Sequence, residues 1–144
     1  VASKYPEKFA CYIGYQNDVA HQIEAGSDLF LMPSLFEPCG LNQIYSLRYG
    51  TLPIVRATGG LDDTIENYDS KSKSGTGFKF YDATPEALRG TVKWAVDVWY
   101  NDKDGFDQLR RNAMAKRFDW SEAAKAYDDL YHHIKGGRLS SSHR

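Results

Sequence analysis

The sequence predicts an α/β fold, a parallel sheet with flanking helices. Three observations predict it. Short apolar runs of strand length alternate with longer segments of helical period. Glycines stand at the junctions, at Gly14, Gly26 and Gly50. The apolar runs are continuous, as buried strands are.

Each element follows in order. Phe9–Gly14 is a short apolar run ending at Gly and reads as a buried strand. Gln16–Ala25 reads as a helix, with Asp18 as candidate N-cap and Gly26 as its stop. Asp28–Pro33 is a second strand. Leu41–Tyr49 is a second helix closed by Gly50, and Leu52–Arg56 a third strand. Pro53 lacks a backbone N–H, so it is expected as that strand's first residue. Leu61–Tyr68 reads as a short helix after a Gly59-Gly60 turn, and Asp69–Gly75 as a polar loop.

Gly77–Tyr81 is a fourth strand. Thr84 and Pro85 open a helix to about Asn101, as N-cap and first-turn proline. Phe106–Arg117 and Ser121–Ile134 complete the helices. Residues 1–135 form one domain in this reading, and the Ser-rich stretch 136–144 is a disordered tail.

Composition narrows the function. The 144 residues suffice for one compact core. A formal net charge of -1 offers no field for nucleic acid or anionic lipid. No apolar run reaches the roughly 20 residues of a membrane span, and no signal-peptide apolar region opens the chain. Cys11 and Cys39 make no disulfide framework, and no Cys/His spacing resembles a zinc site. The expectation is a soluble, reduced, cytosolic protein.

In parallel sheets ligands bind beyond the C-terminal strand ends. Glu37 falls there, in the loop after Pro33, and Pro38 holds it extended. By position it is a functional carboxylate, a solvated loop residue, or a partner of the next helix dipole. Cys39, Gly40, Leu41 and Asn42 open that helix, where free N–H groups favour a phosphate. Gly40 lets a ligand approach the backbone. Cys39 has no His nearby in sequence and reads as a small residue at the pocket wall, not a nucleophile.

Thr58, Gly59 and Gly60 follow the third strand, as a tight turn or a close backbone approach. Gly14 and Tyr15 follow the first, where Tyr15 either stacks on a base or packs at the sheet edge. There is no G-x-G-x-x-G, and the four His form no metal or triad constellation.

Phe36-Glu-Pro-Cys-Gly-Leu-Asn-Gln43, Arg48-Tyr-Gly-Thr-Leu-Pro-Ile-Val55 and Thr58-Gly-Gly-Leu61, at this spacing, resemble the bacterial glycogen synthase and plant starch synthase family. The likeness runs through Ile13–Asp18, Ser74–Phe80 and Ala113–Tyr127, and covers Tyr5 to about Lys135. It implies a Rossmann-like domain, the truncated C-terminal half of a two-Rossmann-domain (GT-B type) retaining glycosyltransferase. Such enzymes move glucose from ADP-glucose to the non-reducing end of an α-1,4-glucan without a metal ion or other cofactor.

The resemblance makes Glu37 the acid at the donor glucose. Cys39, Gly40, Leu41 and Asn42 would line glucose and diphosphate. Gly14 and Tyr15 would lie against adenine, and Thr58, Gly59 and Gly60 would face the cleft. The wider superfamily carries a second Glu where this chain has Tyr45. The family's diphosphate-binding Arg and Lys, and its N-terminal acceptor domain, would lie upstream.

The implied partners are ADP or ADP-glucose, the glucan and that N-terminal domain. An unpaired sheet edge invites self-association. The implied location is a bacterial cytoplasm, or a plastid for a plant protein. A non-catalytic nucleotide- or glucan-binding module, or a transferase using UDP-glucose, is the alternative.

Overall fold

A computed structural model describes residues 2–140. In order, the elements are α1 (Asn17–Ala25), β1 (Leu29–Met32), α2 (Asn42–Tyr49), β2 (Leu52–Arg56) and α3 (Gly59–Thr64), then β3 (Phe78–Phe80), α4 (Pro85–Asn101), α5 (Lys103–Ala115) and α6 (Trp120–Ser140). The α/β class with a parallel sheet is as expected: three strands in the order β1-β2-β3. Leu29 pairs with Leu52 and Ile54 with Phe78, and both ladders are parallel.

β2 is the centre of the molecule. Leu52, Pro53, Ile54 and Val55 are all buried. Successive strand residues point to opposite faces, so both faces of β2 are covered. Leu47 of α2, Leu61 of α3, Ala95 of α4, and Phe106 and Leu109 of α5 close around it with Phe78.

The structure corrects the first strand. Phe9–Gly14 forms no ladder, and Ile13 is 93% exposed. An apolar run becomes a strand only where a neighbour takes its backbone groups and another layer covers its face. This segment has neither a paired neighbour nor such cover, and its burial does not offset the entropy of ordering it. β1 is therefore an edge strand, unpaired on its outer side among the described residues.

Pro53 is the second residue of β2. The Leu52 N–H donates to Asp28 O, toward β1, at 3.0 Å. The next backbone nitrogen therefore faces β3, whose pairing begins one residue later, at Ile54. No ladder bond is lost at Pro53.

Four helix boundaries also differ. Asp18 lies in the first turn of α1, and Gln16 takes the cap position without a side-chain bond. α3 begins at Gly59 and ends at Thr64, where Ile65 turns into extended backbone to enter the core. α5 starts at Lys103, because the Asp102 carboxylate caps it by accepting from the Gly105 N–H at 3.0 Å. α6 continues through Ser140, so the backbone of 136–140 is helical where a disordered tail was expected. Residues 141–144 lie outside the described residues.

α4 starts as read, with Thr84 Oγ1 accepting from the Ala87 N–H and Pro85 in the first turn. No helix of the described residues is long and apolar enough to cross a membrane.

Candidate functional site

The loop Ser34–Leu41 leaves β1, and Ala57–Thr58 leaves β2, at the C-terminal edge of the sheet. Their meeting is held by backbone and buried polar groups. The Gly60 N–H donates to Glu37 O at 3.0 Å. Arg56, the last residue of β2, donates from Nε to Ser34 O at 2.9 Å and from Nη2 to Leu35 O. The Gln43 amide, fully buried, donates to Cys39 O at 3.0 Å and Gly40 O at 3.2 Å, and reaches Thr64 Oγ1 at 3.3 Å. Thr64 Oγ1 in turn donates to Gly60 O at 2.5 Å.

The glycines are required by contact. A Cβ on Gly60 would sit 2.0 Å from Cys39 O, and one on Gly59 would sit 2.2 Å from Glu37 O. Gly59 (φ 46°) and Gly40 (φ 76°) both occupy the left-handed region. Gly59 and Gly60 thus form the first turn of α3, with Thr58 as its cap residue, instead of a free Gly-Gly turn.

Glu37 is half-buried. Its carbonyl is fixed by Gly60, while its carboxylate enters no hydrogen bond or ion pair among the described residues. Glu37 makes no capping hydrogen bond to the next helix: α2 starts without any side-chain cap. Its first N–H groups are left for solvent or a ligand.

Beside this corner lies a cavity of about 740 Å³. Gly14, Tyr15, Leu41 and Asn42 are among the residues that line it. Tyr15 is 91% exposed, so it is not the packed sheet-edge residue of the alternative reading. Six of the expected site residues stand outside the lining: Glu37, Cys39, Gly40, Thr58, Gly59 and Gly60 form the adjoining corner. Cys39 is correspondingly an exposed free thiol, not a pocket-wall residue. Its backbone carbonyl accepts from the buried Gln43 amide, and its thiol makes only a long contact, 3.7 Å, to Gly40 O.

Sequence reading missed His21, Glu24 and Tyr45, which also line the cavity. His21 packs on Tyr45 with ring centroids 5.1 Å apart, and its Nδ1 lies 3.4 Å from the Tyr49 hydroxyl. Glu24 is buried, with Oε2 unpartnered and 4.0 Å from His21 Nδ1. Burial pushes its carboxyl above the usual range, and His21 partly offsets this. The signal was available: Ala20, His21 and Glu24 share one stripe of α1 at helical spacing. Among the described residues no Arg or Lys lines the cavity, so they give it no fixed positive charge.

Parallel strands with glycine-clamped loops at their C-terminal ends and an adjoining open cavity are the architecture of a Rossmann-type domain. The chain belongs to the family described as Glycosyl transferases group 1, whose model matches residues 6–117. It is 63% identical over 131 residues to Glycogen synthase 1 of Geobacter metallireducens, covering 91% of this chain and 26% of that protein. It is 56% identical over 135 residues to a glycogen synthase of Koribacter versatilis, covering 94% and 28%.

Among solved structures it resembles the catalytic domain of starch synthase IV from Arabidopsis thaliana bound to ADP and acarbose. That likeness has a TM-score of 0.75 and 35% identity, over 84% of this chain and 25% of that one. A sucrose-phosphate synthase from Thermosynechococcus elongatus shares the fold at TM-score 0.61 and 21% identity, over 94% and 33%. The chain therefore spans about a quarter of the length of the curated relatives it matches.

Proposed function

We propose that this chain is the donor-binding part of a glycogen or starch synthase. The longer protein would transfer glucose from ADP-glucose to the non-reducing end of an α-1,4-glucan, with retention and without a metal ion. One observation carries the reading: a free carboxylate, Glu37, sits on a loop whose backbone is clamped to the start of α3 beside an open cavity. The likeness to synthases of bacterial origin and to a starch synthase bound to ADP and acarbose supports it.

In this mechanism Tyr15 and Gly14 take the adenine. The backbone at Cys39–Asn42 takes the glucose and diphosphate, and Thr58, Gly59 and Gly60 face the cleft. The bond from the anomeric carbon to the ADP oxygen breaks with oxocarbenium character. The acceptor 4-hydroxyl oxygen then bonds to the same face of the anomeric carbon, and its proton passes to the departing diphosphate oxygen. Glu37 orients the glucose hydroxyls and lends negative charge to the cationic ring. Cationic groups placed against the negative charge of the leaving diphosphate are usually the largest electrostatic contribution to such a transfer. No Arg or Lys of the described residues lines the cavity, so those groups come from elsewhere in the longer protein.

It follows that the 144 residues alone elongate no glucan. They bind ADP at most, and the unpaired edge of β1 favours self-association. A bacterial cytoplasm is the setting we infer.

The direct test grafts this chain in place of the matching 131 residues of the Geobacter metallireducens protein. Elongation of glycogen from ADP-glucose is the expected result. A folded graft without activity, or with a preference for UDP-glucose, contradicts the reading.

A further inference from the structure

We infer that Gln43 is the positioning residue of the diphosphate seat, acting through the peptide units of Cys39 and Gly40. This rests on the donor-site reading above.

Gln43 is fully buried in the first turn of α2, and its amide is oriented unambiguously. Nε2 faces two carbonyls, Cys39 O and Gly40 O, and a hydroxyl, Thr64 Oγ1. A flipped amide would set Oε1 against both carbonyls. In the observed orientation Oε1 is buried without a partner. An unpaired buried acceptor is destabilising, and Met or Leu would fill much the same volume without one. The gain that offsets it is geometric.

A trans peptide points its C=O and N–H in opposite directions, and the described residues contain no cis peptide. Cys39 C=O shares a peptide unit with the Gly40 N–H, and Gly40 C=O shares one with the Leu41 N–H. Drawing both carbonyls onto the buried amide therefore turns both N–H groups away from it. Neither donates a hydrogen bond among the described residues. Successive N–H groups beside a left-handed residue form an anion-binding concavity, and Gly40 is that residue (φ 76°). The uncapped start of α2 continues the row. Gln43 thus holds this loop with two N–H donors preset, from a buried position behind them.

The test compares Gln43→Met with Thr51→Val in the graft described above. Thr51 Oγ1 also makes buried hydrogen bonds, to Glu24 O and Ser27 O, but outside this loop. The readouts are thermal midpoint, kcat and KM for ADP-glucose, and affinity for ADP relative to adenosine. Both variants should lose thermal stability. Only Gln43→Met should lower the ADP-to-adenosine affinity ratio, by about tenfold, with a fall in kcat, because only it releases the phosphate-facing donors. An unchanged ratio and kcat in a destabilised Gln43→Met protein would overturn the inference while leaving the donor-site reading intact. An unsubstituted graft that binds ADP no better than adenosine overturns both.

Discussion

The Gly60 N–H donates to the Glu37 carbonyl at 3.0 Å, and this one bond ties the loop after β1 to the helix after β2. It fixes the backbone of the residue whose carboxylate is left free. Both glycines at the start of α3 exist to permit that approach, since either Cβ would collide with a carbonyl of the loop.

Gly60→Ala is therefore expected to push the Cys39–Gly40 segment off α3. The Cβ would lie 2.0 Å from a backbone oxygen, which has no rotamer by which to yield. A loss of about 1–3 kcal/mol is expected from such overpacking. Chemical denaturation measures it, and in the graft kcat should fall as well. Gly90→Ala is the matched control, because nothing lies within 4 Å of its Cβ position. A helix-interior glycine there gives up roughly 0.5–1 kcal/mol of stability relative to Ala, so this control should stabilise.

Tyr15 stands 91% exposed at the cavity. Removing an exposed ring costs the fold little, whereas a lost base–aromatic stack costs about 1–3 kcal/mol of binding. Tyr15→Ala should weaken ADP binding roughly 5- to 150-fold by calorimetry, with an unchanged melting temperature. Tyr15→Phe should bind as the unsubstituted chain does. Equal ADP affinity in all three would remove Tyr15 from the site.

Glu24 gives a pH signature. Its carboxyl is raised above the ordinary 4.5 by burial. Between the unfolded and folded values the folded state holds a proton that the unfolded state has released. Stability therefore falls as pH rises through that window, and below both values the group contributes no difference. Glu24→Gln, neutral throughout, should match the unsubstituted chain at about pH 4 and melt higher at about pH 8. Asp69, Asp102 and Asp119 shift the opposite way through their hydrogen bonds, but equally in both proteins. A variant that melts lower at the higher pH would show that the charged carboxylate is stabilised by a partner.

How much of this was legible in the sequence depends on the range of the interaction. α2, β2 and the start of α4 follow from local signals: an apolar run, the left-handed Gly50 closing a helix, and Thr84-Pro85 opening one. Phe9–Gly14 carries the local signal of a strand but lacks the neighbour that would make it one. Asp102 caps α5 and also accepts from the Tyr68 hydroxyl at 2.9 Å, a contact 34 residues distant in sequence. That bond, after burial, helps push the Tyr68 hydroxyl up to about 12.

The site shows the same division. Glu37, Gly40 and the Gly59–Gly60 pair stood out because glycine and a lone carboxylate in a loop are visible in one dimension. Gln43, Arg56 and Thr64 did not, because each acts on a carbonyl supplied by another segment or another turn. Backbone acceptors leave no residue-type signal.

In the proposed function Glu37 acts on the reacting sugar and not on the fold. Its carboxylate has no partner among the described residues, so Glu37→Gln should leave the melting temperature of the graft unchanged. The decisive measurement is the steady-state kinetics of that variant with ADP-glucose. A fall in kcat of about 100-fold or more, with donor KM within about threefold, is the predicted result. An unchanged kcat would contradict the account.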